Sequence, residues 1–175
     1  ALRHGVGRDG HGLWMMPVSR FHHLNDRDLG DVIAYLTTIP PVDRTTEASQ
    51  LGLLGRLVHA MGKLKLIDAH PKRLDGREEG GTDSISQGRY LSHLAGCRAC
   101  HGEDLRGGDE SIGADLVGGS FSRWGFPDFV KAMRQGIRPD SQAMPEDMPW
   151  PEFGRLSDEE LKQLFDYLKS LGLTG

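Results

Sequence analysis

Only two cysteines occur among the 175 residues, and they lie three apart, at Cys97 and Cys100. A disulfide framework is therefore excluded, because a bridge at that spacing closes almost no loop. No run of 18 apolar residues occurs, so the sequence contains no membrane-spanning helix. Positive charge is not in excess. With 21 basic and 25 acidic side chains the net charge is −4, which leaves no basic field for nucleic acid. Aromatic residues are 7% and hydrophobic residues 37% of the chain, enough for a small core but not a generous one. No segment alternates at period two, which argues against strands. Glycine, by contrast, is abundant: 24 residues, about twice ordinary usage, imply long stretches of loop. A small loop-rich protein needs a staple, and without disulfides a bound cofactor is the remaining candidate.

The charge is placed unevenly. Residues 82–175 hold 10 basic and 15 acidic side chains, residues 51–81 hold 6 and 4, and residues 1–50 hold 5 and 6. An acidic surface usually serves solvation; a docking face for a basic partner is the sharper alternative. The first residues, ALRHGVGRDG, are polar and glycine-rich and do not read as a signal peptide. They fit a leader already removed, or a chain that continues upstream.

An internal repeat organises the rest. Residues 16–36 align without a gap on residues 148–168, at an offset of 132. Met16 falls on Met148, Pro17 on Pro149, Phe21 on Phe153, Leu24 on Leu156, Asp26 on Asp158, Leu29 on Leu161, Tyr35 on Tyr167 and Leu36 on Leu168. One residue of slippage upstream pairs Arg3, Gly5 and Asp9 with Arg134, Gly136 and Asp140. Both copies predict a terminal helix. Ser157 with Glu160 forms a capping box, and Asn25 with Asp28 is its weaker counterpart. Leu161, Leu164, Phe165, Leu168 and Leu171 give one apolar face; Leu29, Val32, Ile33 and Leu36 give its counterpart before Pro40-Pro41.

Between the copies, Leu53, Leu54, Leu57, Val58, Met61 and Leu64 form a helical apolar stripe with a basic opposite side. Such a stripe is expected to pack on its own domains; lying on an anionic membrane surface is the alternative. Residues 71–81 read as an exposed linker. In the second copy Thr82 or Ser84 is expected to cap a helix whose face is Ile85, Gly88, Leu91 and Ala95. A further helix is expected at 127–135, with Pro127 in its first turn and Gly136 after its last. The organisation expected is a half-domain at 1–43, a linker with an amphipathic helix at 44–81, and a complete domain at 82–175. The class is all-α with glycine-rich loops.

The chemistry concentrates at Cys97-Arg98-Ala99-Cys100-His101. A redox dithiol would follow a strand in a βαβ setting, and the surroundings here are helical. Structural zinc needs four ligands, and the remaining histidines lack paired spacing. Covalent haem attachment uses all three residues. Two thiols on one helical turn reach the two porphyrin vinyl groups, and the next histidine lies under the ring to bind iron.

The segments GCRACHGEDLRGG, RQGIRPD, DMPW and LSDEELKQLFDYLKSL resemble the class I cytochrome c superfamily, in particular bacterial two-haem cytochromes c. Residues 82–175 are similar to a whole domain of that kind. Residues 1–43 resemble the second half of a preceding one, without its C-x-x-C-H. The resemblance implies a cytochrome c fold in which the first and last helices cross closely, with Gly88 and Tyr90 meeting Leu164 and Tyr167. It also implies haem c on Cys97 and Cys100, a second haem upstream of Ala1, and maturation outside the cytoplasm. The location expected is periplasmic, or peripheral on the outer side of the cytoplasmic membrane.

His101 is the expected proximal iron ligand. For the sixth position the candidates are Met144 and Met148, both before proline. The repeat favours Met148, whose partner is Met16. Bound thioether would make an electron shuttle; an open iron would bind and activate small molecules. His93 reads as a surface or satisfied residue. Trp124 and Trp150 are candidates for packing near the ring, with ordinary core aromatics equally expected. Arg106, Arg123 and Arg138 are candidates for the propionates. The functional expectation is a single-electron carrier, not an enzyme, serving redox partners such as a dehydrogenase, an oxidase or another cytochrome. A haem enzyme of the di-haem peroxidase type is the rival, and a docking subunit built on residues 1–81 is a third reading.

Overall fold

The computed structural model describes residues 1–8, 10, 12–13, 16–44, 52–62, 81–108 and 112–173. Among them the regular structure is helical, and strand pairing is confined to two isolated bridges, as the all-α expectation requires. The chain divides into two compact units, Ala1–Arg77 and Glu78–Gly175.

In the first unit α1 spans Val18–Phe21, α2 Asp26–Thr38 and α3 Leu53–Ala60. Asn25 caps α2, its side-chain oxygen accepting from the Asp28 N–H at 2.8 Å. The helix stops at Thr38 because Ile39, which precedes Pro40, is held extended. None of its residues is buried. Val32, Ile33 and Leu36 are 37%, 48% and 49% exposed, whereas their repeat partners Leu164, Phe165 and Leu168 are buried. The stripe expected to pack on its own domains also differs from expectation. On α3 and its cap Leu53, Leu54, Leu57 and Met61 stand exposed. Leu64 and residues 71–80 lie outside the described residues.

The second unit begins with α4, Ser84–Ala95. Its cap is Asp83, not Thr82 or Ser84. The Asp83 carboxylate accepts from the Ser86 backbone N–H at 3.0 Å and from the Ser86 hydroxyl at 2.6 Å. These two bonds, the hydroxyl first, hold the Asp83 carboxyl below its usual range. After α4 come α5 (Arg98–His101), a 3-10 turn (Phe121–Arg123), α6 (Phe126–Gln135), α7 (Trp150–Phe153) and α8 (Asp158–Leu171). Pro127 opens α6 and Gly136 closes it in the left-handed conformation, as the sequence predicts. Ser157 and Glu160 form the expected capping box on α8.

The core lies where α4, α6 and α8 meet. Phe121, Phe129, Ala132, Met133, Leu161, Leu164, Phe165, Tyr167 and Leu168 are all buried there. Phe165 is central, with ring centroids 6.1 Å from Phe121, 5.7 Å from Phe126 and 5.5 Å from Phe129. α4 crosses α8 at Gly88. A Cβ there would strike the Gln163 carbonyl and lie 2.6 Å from the Tyr167 Cβ, so only glycine allows this approach.

The repeat recurs in the geometry of each unit taken separately. Arg134 donates to the Leu156 carbonyl at 2.9 Å and pairs with Asp158 at 2.7 Å. Arg3 does the same to the Leu24 carbonyl at 3.0 Å and to Asp26 at 2.8 Å. The bridges Val6–Gly12 and Ile137–Ala143 correspond, and Gly5 and Gly136 share a left-handed φ of 59° and 67°.

Candidate functional site

The C-x-x-C-H segment follows directly from the end of α4. Gly96, at φ 71°, closes that helix, and the Cys97 N–H still reaches back to the Ser92 carbonyl at 3.2 Å. The chain then winds into α5, where the Cys100 and His101 N–H groups both donate to the Cys97 carbonyl, at 3.3 and 2.9 Å. Both cysteines and the histidine therefore share one turn. The two sulfurs are not bridged to each other, and Cys97 packs against the core.

His101 is buried, 7% exposed, and its Nδ1 lies 2.6 Å from the Ala114 carbonyl oxygen. A carbonyl only accepts, so this bond assigns the proton to Nδ1 and leaves the Nε2 lone pair for a metal ion. Gly113 makes the contact possible. A Cβ at that position would lie 2.6 Å from Nδ1 and 2.8 Å from Cγ and Cε1. The same loop is tied to the motif by Gly113 N–H to the Cys100 carbonyl and Gly107 N–H to the His101 carbonyl, both at 2.8 Å. Leu105 holds the loop down from the inside: it is fully buried and sits at φ 63°. That conformation costs a leucine about 1–2 kcal/mol, which burying the side chain offsets by a similar or larger amount.

Met144 and Met148 are both half-buried and packed against the core. Hydrogen bonds fix how each relates to the first copy. The Met144 N–H donates to the Gly136 carbonyl at 2.7 Å, as the Leu13 N–H does to Gly5 at 2.5 Å. The Trp150 N–H donates to Met148 at 2.7 Å, as the Val18 N–H does to Met16 at 2.8 Å. Met144 is thus in register with a leucine, and Met148 with a methionine.

Trp124 is a core aromatic, its ring 5.6 Å from that of Phe121. Trp150 covers Gly136, where a Cβ would lie 2.5 Å from its Cε2. Arg106 and Arg123 are exposed. Arg138 is half-buried, bonds Gln142 and forms an ion pair with Asp140 through Nε at 3.5 Å; that nitrogen is buried and makes no hydrogen bond. His93 is half-exposed on α4, His4, His22, His23 and His59 belong to the first unit, and His11 and His70 lie outside the described residues. No three His, Cys, Asp or Glu side chains converge on a metal site among the described residues, so the zinc reading finds no ligand set.

These residues fit a haem. The buried imidazole has Nε2 left free of the Ala114 bond, two half-buried thiols stand on the same turn, and the Arg138 guanidinium keeps one buried N–H without a hydrogen bond. Three contributors were not singled out in the sequence: Gly113, the Ala114 carbonyl and Arg98. Gly113 had a signal, a glycine twelve residues after His101 in a glycine-rich loop. Arg98 had none, since its partner Tyr167 is 69 positions away.

An all-α domain with its first and last helices crossed at a glycine, and a C-x-x-C-H turn beside that crossing, is the architecture of a c-type cytochrome. The cytochrome c family model matches residues 85–172, half of the chain, and the chain belongs to that family. Membership implies covalently bound haem c. The chain is 34% identical over 98 residues to the cytochrome c subunit of the quinone alcohol dehydrogenase of Gluconobacter oxydans (strain 621H). That match covers 47% of this chain and 20% of the relative. The fructose dehydrogenase cytochrome subunit of Gluconobacter japonicus is 34% identical over 101 residues, covering 49% and 21%. A diheme cytochrome c-type of Cereibacter sphaeroides is 27% identical over 188 residues, covering 97% and 62%. The matches thus span only about a fifth of the two dehydrogenase subunits.

Proposed function

We propose that the second unit carries single electrons between redox proteins, with haem c on Cys97 and Cys100 and iron held by His101 and Met148. The observation that carries this reading is the His101 ring, fixed through Nδ1 at 2.6 Å to Ala114 within the cysteine-bearing turn. Bound haem supplies a one-electron iron couple whose potential depends on axial ligands and burial. The protein's residues do the rest. Ala114 and Gly113 orient the imidazole, and the core packs behind the turn through Cys97. Met148 is favoured over Met144 because it shares the register of Met16. A filled sixth position leaves no open iron, which sets this reading against a peroxidase. The relatives named above, two dehydrogenase cytochrome subunits and a diheme cytochrome, support electron carriage with a dehydrogenase among the partners.

Two finer readings accompany it. The first unit is the C-terminal half of a second cytochrome domain whose haem attaches upstream. The exposed face of α2 supports this, since the repeat-related face of α8 is buried. The protein works outside the cytoplasm, at the periplasmic membrane surface. Here α3 is the support: its apolar stripe is exposed, and residues 50–67 contain Arg56, Lys63 and Lys65 but no acidic residue. Co-sedimentation with anionic vesicles, lost in Leu54→Asp and in neutral vesicles, is the expected result; equal recovery with both lipids contradicts it.

The ligand assignment is tested on haem-loaded protein by the weak far-red charge-transfer band of ferric iron bound to thioether sulfur. Met148→Ala is expected to abolish it and Met144→Ala to retain it. The reverse pattern transfers the role to Met144. A high-spin spectrum in the unmutated protein means open iron and favours the peroxidase reading.

A further inference from the structure

The residue between the two cysteines is held from three directions. Arg98 is half-buried, and its guanidinium donates from Nε to the Glu103 carbonyl at 3.0 Å, from Nη1 to the Ser92 hydroxyl at 3.3 Å and from Nη2 to the Tyr167 hydroxyl at 2.8 Å. Those acceptors belong to the loop after α5, to α4 and to α8. Two of them are themselves fixed. Ser92 is fully buried and donates to the Arg89 carbonyl at 2.7 Å; Tyr167 is 2% exposed beneath the Arg89 guanidinium, 5.9 Å from its ring centroid. None of the three acceptors carries a charge. A planar fork can satisfy three divergent acceptors at once, whereas a lysine ammonium on the same stem cannot span them.

Resting on the haem reading above, we infer that Arg98 is a positioning residue that locks the attachment turn onto the α4–α8 crossing, and that its charge biases the iron toward the reduced state. The clamp explains how a four-residue helix, too short to be stable alone, presents its cysteines and His101 in one arrangement. The electrostatic part follows from position. Arg98 lies one turn before His101, its charge is met by neutral dipoles only, and a fixed positive charge opposes the extra positive charge of ferric iron.

The test uses the full haem-loaded chain with Arg98→Gln, Arg98→Lys, Tyr167→Phe and the Gln/Phe double variant. Potentiometry and urea unfolding are measured on each. Arg98→Gln is expected to shift the ferrous-to-ferric ratio at fixed potential toward ferric by about threefold to tenfold, tenfold being 59 mV for one electron. Arg98→Lys keeps most of the ratio but shares the lowered urea midpoint, because it restores charge without the fork. Tyr167→Phe lowers the midpoint, and in the double variant the two losses add to less than their sum. An unchanged ratio in Arg98→Gln, or strict additivity, overturns the inference. If Arg98→Gln does not take up haem, Arg98→Lys and Tyr167→Phe decide, and unchanged midpoints in both overturn it. Failure of the unmutated chain to show a low-spin c-type spectrum sinks the haem reading itself, a result separate from any of these.

Discussion

Gly113→Ala puts a methyl group 2.6 Å from the His101 Nδ1 and 2.8 Å from Cγ and Cε1. Ordinary contact begins at 3.4 Å, so ring and loop must part by about 0.6–0.8 Å. Neither side retreats freely. The ring is buried and held to Ala114 at 2.6 Å, and the Gly113 N–H is held to Cys100 at 2.8 Å. Moving the ring by that amount stretches the Nδ1 bond to or beyond the limit of a good N–H···O bond, about 3.2 Å. Overpacking of this kind costs about 1–3 kcal/mol, and a lost hydrogen bond adds about 1 kcal/mol. A loss of roughly 2–4 kcal/mol is expected, read from urea unfolding of the haem-loaded protein. The optical spectrum should change with it, because the nitrogen proposed to bind iron moves with the ring. Destabilisation below about 0.5 kcal/mol with an unchanged spectrum would refute the claim that this loop sets the imidazole.

Two glycine-to-alanine changes in helices should have opposite signs. Alanine gains about 1 kcal/mol of helix propensity at either site. At Gly30 on α2 no atom lies within 4 Å of the added Cβ, so the melting temperature should rise. At Gly88 the Cβ meets the Gln163 carbonyl and Tyr167, so overpacking outweighs propensity and the melting temperature should fall by several degrees. A rise at both sites would mean that the helix crossing is looser than described. The Asp83 cap gives a pH dependence. Its carboxyl is lowered by the Ser86 hydroxyl and N–H, so its contribution is present above the ordinary carboxylate range and is lost as pH falls through the lower folded value. Acid unfolding of Asp83→Asn, which keeps a capping oxygen without the titrating charge, should be flatter over that window. An identical acid profile for the two proteins would argue against it.

The sequence disclosed most where the structural cause is local. The caps of α2 and α8, Pro127 and Gly136 at the ends of α6, and the all-α class all rest on neighbours within a few residues. The α4 cap lies one residue from either position the sequence favours, because Thr82, Asp83 and Ser84 are all competent and only the bonds to Ser86 choose among them. For the α3 stripe, periodicity identifies an apolar face but not what covers it. The motif itself was readable, since cysteine and histidine spacing encodes one helical turn. What surrounds it was not. Ala114, Gly113 and Tyr167 reach the motif through tertiary contacts across 13 to 69 positions, and no local pattern announces such pairs.

The most direct measurement is a spectroelectrochemical titration of the purified, haem-loaded chain, with carbon monoxide added to the reduced form. The expectation is one reversible one-electron transition, low-spin spectra in both states and no rapid binding of carbon monoxide. High-spin ferric iron with prompt carbon monoxide binding would contradict it and identify an open, reactive site.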